Sequence, residues 1–318
     1  MIVARLLAFA LLVLAGPALA QTWPSHPIKL IVPFPAGGGT DLVGRTIAKG
    51  LSDALGQPVV VDNRGGAGGT IGSEAVAKAA PDGYTLGVAT SSTHPTSVVL
   101  LKDVPYDPVK NFAPVTMIGR TAYVLLASPT VPAANLQDFV AYAKAHPGKL
   151  NFASVGVSTL GYLVTRQMMI DTGIDLVHVP YKGSSQVYPA LMNGEVAIEL
   201  DNPSASAGFV SSGKIKVLAT TLKTPLMPSA PLFADLGYAN LDTTFWYGIV
   251  APAGTPNPVV DRIQAAVAQF VHSEEGRKVL DHAGIEPVGD TPEHFAKVIA
   301  DDMHKAQQLA DRLGLKPE

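Results

Sequence analysis

The residues best suited to chemistry in this chain are nine consecutive ones, Pro33-Phe34-Pro35-Ala36-Gly37-Gly38-Gly39-Thr40-Asp41, which follow an apolar run and open a helix-length segment. Three glycines let the backbone turn so that successive N–H groups point at one spot, and the start of a helix adds partial positive charge there. That arrangement suits capture of an anion by neutral dipoles. The plainer alternative is a turn in which Thr40 or Asp41 caps the helix. A second glycine-rich turn, Asn63 to Gly72, joins another apolar run to another helix start. Neither turn spells a dinucleotide fingerprint, and the lysine of a phosphate loop is missing. If the first turn is the anion cradle, a β-branched residue in place of Gly38 is expected to weaken binding by restricting the loop.

Hydroxyls gather at two further junctions. Ser91, Ser92, Thr93 and His94 follow a third β-rich run, and Ser154-Val155-Gly156-Val157-Ser158-Thr159 links another run to a helix. Hydroxyls and helix-start N–H groups suit hydrogen bonding to carboxylate oxygens. Ser158 also raises a hydrolase reading, with His94 or His178 as its base. Leu160, however, stands where the nucleophile elbow Gly-x-Ser-x-Gly requires its last glycine. The chain has no cysteine, no His-Glu-x-x-His and no histidine pair at i, i+4 on one helix, so neither a metal nor a cofactor is expected. Asp201 ends an apolar strand; it can orient a ligand ammonium or hydroxyl, would repel a nearby carboxylate, or can cap the helix after Pro203.

Positioning these groups falls to an alternation of strands and helices. Strand-like runs at 28–32, 59–61, 84–89, 123–127, 150–153, 176–179, 196–200, 215–219 and 247–250 alternate with helix-length segments such as 41–55, 136–145, 158–171 and 184–192. This order predicts an α/β fold of mainly parallel sheets flanked by helices. Proline clusters at Pro105, Pro108 and Pro114, and at Pro225, Pro228 and Pro231, suggest two crossings between lobes. The expected division is lobe one at 21–121 and 243–318, with lobe two, 122–242, inserted. Lobes joined by paired crossings can hinge around a ligand.

At the N-terminus Arg5, the apolar run Leu6 to Leu14 and Ala18-Leu19-Ala20 read as a signal peptide, residues 1–20, cut between Ala20 and Gln21, which directs the protein to the periplasm. The 318 residues carry 23 Lys and Arg against 26 Asp and Glu, a formal charge of −3. No basic tract invites nucleic acid, and a monomer is expected. With no disulfides available, an exported chain of this length relies on its core alone.

Six segments in order, PFPAGGGTDLVGR (33–45), VVVDNRGGAGGTIG (59–72), PDGYTL (81–86), VPYKG (179–183), GEVAIELDN (194–202) and WYGIVAPAGTP (246–256), resemble the Bug family, the extracytoplasmic receptors of tripartite tricarboxylate transporters. The resemblance covers essentially the whole chain after residue 20. It implies a two-lobed Venus-flytrap fold and a non-enzymatic solute-binding protein. Its ligand would be a small organic acid, and its partners the membrane components of such a transporter. It further implies a proximal carboxylate site at Phe34, Pro35, Ala36, Gly37, Gly38, Gly39, Thr40, Ser91, Ser92 and Thr93. The distal side would be lined by Val157, Ser158, Thr159, Tyr181, Ser184, Ser185 and Asp201. A ligand-sensing partner of a signalling receptor would share the same fold and capture step.

Overall fold

The structure is a computed structural model and describes residues 23–317. The expected signal peptide and its cut between Ala20 and Gln21 lie outside the described residues.

The chain opens with strand β1 (Ile28–Val32), helix α1 (Gly39–Leu55), strand β2 (Val59–Asn63), helix α2 (Thr70–Ala77) and strand β3 (Thr85–Thr90). In α1, Val43, Ile47, Leu51 and Leu55 recur every four residues and are buried, so one stripe of the helix faces the sheet. Gly56 ends it in the left-handed conformation at φ 71°, with its N–H on the carbonyl of Ser52. A short helix α3 (Ser97–Leu100) precedes the long strand β4 (Phe112–Thr121), which carries the chain out of this first lobe.

Next come strand β5 (Val124–Ala127), helix α4 (Leu136–Ala145), strand β6 (Leu150–Ser154), helix α5 (Leu160–Thr172), strand β7 (Leu176–Pro180) and helix α6 (Ser184–Asn193). Strand β8 (Ile198–Asp201), helix α7 (Ala207–Ser211) and strand β9 (Lys216–Thr220) complete this second lobe. Strand β10 (Phe245–Pro252) returns to the first, followed by helices α8 (Asn257–His272) and α9 (Glu274–His282), strand β11 (Ile285–Pro287) and helix α10 (Pro292–Arg312). Among the described residues no helix is long and apolar enough to cross a membrane.

The first lobe's sheet has the order β11-β4-β10-β3-β1-β2, and the second's β7-β6-β8-β5-β9. Both are mixed. Parallel pairing joins β1 to β2 and β3, and β6 to β7 and β8; every other ladder is antiparallel. The mainly parallel pattern expected from the strand-helix alternation therefore covers only these two groups. The antiparallel ladders follow from the crossings: β4 leaves the first lobe where β10 re-enters it, with Phe245 opposite Thr121, so two adjacent strands run in opposite directions. All eight residues of β10 are buried, as the central strand of a sheet covered on both faces must be.

Candidate functional site

Between the lobes lies a cavity lined by loop and strand-end residues of both. The first lobe contributes Phe34, Pro35, Gly38, Gly39, Thr40 and Ser92, with Phe245 at the return crossing. The second contributes Tyr123, Ser154, Val155, Thr159, Gly161, Gly183, Ser184, Glu199, Leu200 and Asp201. About 40 Å³ of free space remains inside, room for about three waters at ~10–15 Å³ each.

Three helix starts meet at this cavity. Gly38 caps α1 in an extended conformation and Gly183 caps α6 likewise; neither supplies a side chain to the first-turn N–H groups. The third, α5, is capped by Thr159, whose hydroxyl accepts from the Tyr162 N–H. The expected alternative of Asp41 or Thr40 capping α1 is not what forms. Asp41 instead reaches back before the helix: it accepts from the Gly37 N–H at 2.9 Å, from Asn63 Nδ2 at 2.9 Å and from Arg45 Nε at 3.1 Å. Asn63 Nδ2 also donates to the Phe34 carbonyl. Burial opposes ionisation of Asp41, but the bonds from Arg45, Gly37 and Asn63 outweigh it and hold the carboxyl below its ordinary pKa. This network pins the loop and leaves the start of α1 turned to the cavity.

Gly37 is the glycine that the turn requires, at φ 84°. Gly38 sits at φ −87°, ψ 170°, and an added Cβ would meet only the Pro35 carbonyl at 3.9 Å. The expectation that a β-branched residue at Gly38 would restrict the loop is therefore corrected, since such a residue favours extended backbone.

The lobes touch directly. The Leu160 N–H, at the start of α5, donates to Ser92 Oγ at 3.1 Å, and Ser158 Oγ donates to the Ala67 carbonyl at 3.4 Å. Glycines permit this approach. A Cβ on Gly39 would lie 2.0 Å from Asn202 Oδ1, and one on Gly68 would lie 1.9 Å from Ser158 Oγ. Pro35 of the first lobe sits against Gly183 of the second.

Of the residues singled out in the sequence, Phe34, Pro35, Gly38, Gly39, Thr40, Ser92, Thr159, Ser184 and Asp201 line the cavity, and eight do not. Ala36 and Gly37 are exposed. Ser91 turns away and accepts from the Trp246 N–H, while Thr93 folds back onto the Thr90 N–H. Val157 packs against the core, Ser158 is spent on the interlobe contact, and Tyr181 and Ser185 stand outside the lining. Strand β3 ends at Thr90 and the chain turns helically from Ser91 onward, so each hydroxyl is aimed by its own bond: Ser91 is held by Trp246 and Thr93 by Thr90, which leaves Ser92 to face the cavity.

Neither histidine of the hydrolase reading is hydrogen-bonded to Ser158. His94 is held by Thr93 Oγ1, and burial drives its pKa down to about 3. His178 Nε2 lies 2.7 Å from Ser154 Oγ, with the ring stacked on Phe152, and burial lowers its pKa too.

Glu199 is the main lining residue that the sequence reading passed over. It lies in the middle of apolar β8, two residues before Asp201, so both carboxylates share one face of the strand. Asp201 accepts from Tyr188 OH at 2.8 Å and from the Asn202 N–H at 2.8 Å. Burial raises its pKa despite these bonds. Glu199 is 1% exposed, and its Oε2 has no hydrogen-bond partner among the described residues. Burial first, and the charge of Asp201 second, push its pKa well above the usual carboxylate range.

Two mixed α/β lobes, joined by antiparallel crossings and closed over a polar cavity, define the two-lobed fold of periplasmic binding proteins. A family model described as the tripartite tricarboxylate transporter family receptor matches residues 43–315, and the chain belongs to that family, which takes in the Bug proteins. Protein BugT of Bordetella pertussis (strain Tohama I) is 35% identical over 307 residues, 95% of this chain and 94% of its own. The structure of R. palustris Rpa4515 with adipate is 33% identical, with a TM-score of 0.90 over 93% of this chain and 100% of that one. MatC from Rhodopseudomonas palustris with bound malate is 30% identical, with a TM-score of 0.86 over 90% of this chain and 99% of that one. The family is one of periplasmic solute-binding receptors, and solute binding is the role it gives this chain.

Proposed function

We propose that this protein captures a small organic carboxylate in the interlobe cavity, in the periplasm, and delivers it to the membrane components of a tripartite tricarboxylate-type transporter. The observation that carries the reading is the convergence of the starts of α1, α5 and α6 on one interlobe cavity that, among the described residues, is bordered by no Lys, Arg or His. Helix-start N–H groups stabilise an anion without the cost of burying an unpaired cation. The adipate and malate bound by two relatives support the ligand class.

A thermal-shift screen of the purified protein tests it, because a ligand that binds only the folded state raises Tm by mass action. The panel comprises organic acids, each with its amide. At least one acid is expected to raise Tm while its amide does not. Equal shifts from acid and amide, or none across the panel, refute carboxylate capture.

A further inference from the structure

The cavity is electrically two-sided. Helix starts form its positive side, whereas Glu199 and Asp201 form an acidic side with no cationic side chain in the lining among the described residues. The titratable groups that bear on this pair are Tyr123, Tyr181, Tyr188 and Tyr247, all neutral at ordinary pH. The nearby cation Arg166 acts on His178. Burying one ionised carboxylate beside another is costly unless one takes up a proton. Asp201 receives hydrogen bonds from Tyr188 and Asn202, which favour its charged form, so the shared proton belongs on Glu199. A buried oxygen left without a partner and bordering a cavity marks a place where a ligand group completes the bonding. Phe34, Tyr123 and Phe245 line the same cavity, and aromatic faces attract cations and repel anions.

We infer that Glu199 and Asp201 form a subsite for a cationic nitrogen, so that the ligand is a small zwitterion carrying both a carboxylate and an ammonium group. This inference rests on the carboxylate-capture reading and names its ligand class. The carboxylate sits at the helix starts and the ammonium sits against the pair. As the ammonium docks, the Glu199 carboxyl loses its proton to solvent and becomes a carboxylate, so one positive charge in the cavity replaces another. A diacid of matched length places its second carboxylate where Asp201 already holds a negative charge, and the pair selects against it.

The test uses two matched series: the ω-amino acids from β-alanine to 6-aminohexanoate with common α-amino acids, and the α,ω-diacids from malonate to adipate. Titration calorimetry in two buffers of different ionisation enthalpy measures affinity and counts protons. At least one amino acid is expected to bind ten-fold or more tighter than its matched diacid, with release of about one proton at neutral pH. Glu199→Gln is expected to abolish the proton release and to cut the preference at least ten-fold. Binding of diacids without any amino acid overturns the inference and leaves carboxylate capture standing. Binding in neither series overturns the inference, and the acid and amide screen decides carboxylate capture on its own. An amino acid that binds without proton release overturns the role of Glu199, and the wild-type measurements decide this even if the variant does not fold.

Discussion

Replacing Gly39 with alanine should separate closure from folding. Gly39 is the first residue of α1 and belongs to the first lobe, whereas Asn202 and Ser204 belong to the second. The added Cβ would stand 2.0 Å from Asn202 Oδ1, 2.8 Å from its Cγ and 2.9 Å from Ser204 Oγ. Ordinary contact begins near 3.4 Å, so something must yield by about 1.4 Å. The Asn202 side chain is poorly placed to do so: Oδ1 accepts from Ser204 Oγ at 2.7 Å, and Nδ2 donates to Asp201 at 3.3 Å. The lobes must therefore part. Overpacking of this kind costs about 1–3 kcal/mol, and because it falls on the closed state alone it should weaken ligand affinity by roughly 5- to 150-fold. Folding should not suffer, since alanine is the better helix residue by about 0.5–1 kcal/mol. Calorimetry with the ligand found by the acid screen measures the loss, and Gly208→Ala, where a Cβ meets nothing within 4 Å, is the control. Affinity within two-fold of wild type, with Tm unchanged, would refute the argument that glycine permits closure at this seam.

Further expectations concern the loop, the interlobe bond and pH. Gly37→Val forces a β-branched residue to φ 84°, a strain of about 1–2 kcal/mol, and should weaken binding roughly ten-fold, whereas Gly38→Val should change it little; the reverse ranking in a titration would overturn the assignment of the turn. Ser92→Ala removes the acceptor of the Leu160 N–H, a net loss of about 1 kcal/mol, visible as a several-fold faster release of ligand in stopped flow. Because the Glu199 pKa is higher in the folded than in the unfolded protein, its contribution to the ligand-free protein is full below its ordinary value of 4.5 and is lost as pH rises through the folded value. Glu199→Gln should therefore gain Tm over wild type as pH climbs from 5 to 8. The comparison between the two proteins carries this test, because His94, buried and neutral, loses stability as pH falls below 6.5 and pulls both profiles the other way. A Tm difference that stays constant across the range would sink the assignment of a protonated Glu199.

Strand-to-helix junctions were legible because their chemistry is local. An apolar run, three glycines and a helix-length segment suffice to place Pro33 to Asp41 at a strand end. Strand β4 was harder to see. Pro114 reads as a break, yet it pairs with Val250 beside the point where the β10 ladder shifts register, and an irregular ladder tolerates a missing N–H. Glu199 was passed over because one charge inside the run Val196 to Leu200 was read with its apolar neighbours. Its meaning depends on Asp201 two residues on and on α6 covering that face, a relation that only the packed sheet supplies. Sequence also does not tell which hydroxyl of Ser91, Ser92 and Thr93 turns inward, since that is set by the helical turn after β3 and by the bonds of Ser91 to β10 and Thr93 to Thr90.

The closed seam has a kinetic corollary. With Leu160 bonded to Ser92, and Gly156 packed so close to Gly68 that a Cβ would sit 3.1 Å away, a guest gripped from both lobes is held while the jaws are shut. Departure then waits on the jaws parting. Its rate is the frequency of that event and is indifferent to how much competitor is outside. A membrane partner that pries the jaws apart would convert a long dwell into prompt unloading without touching the guest at all.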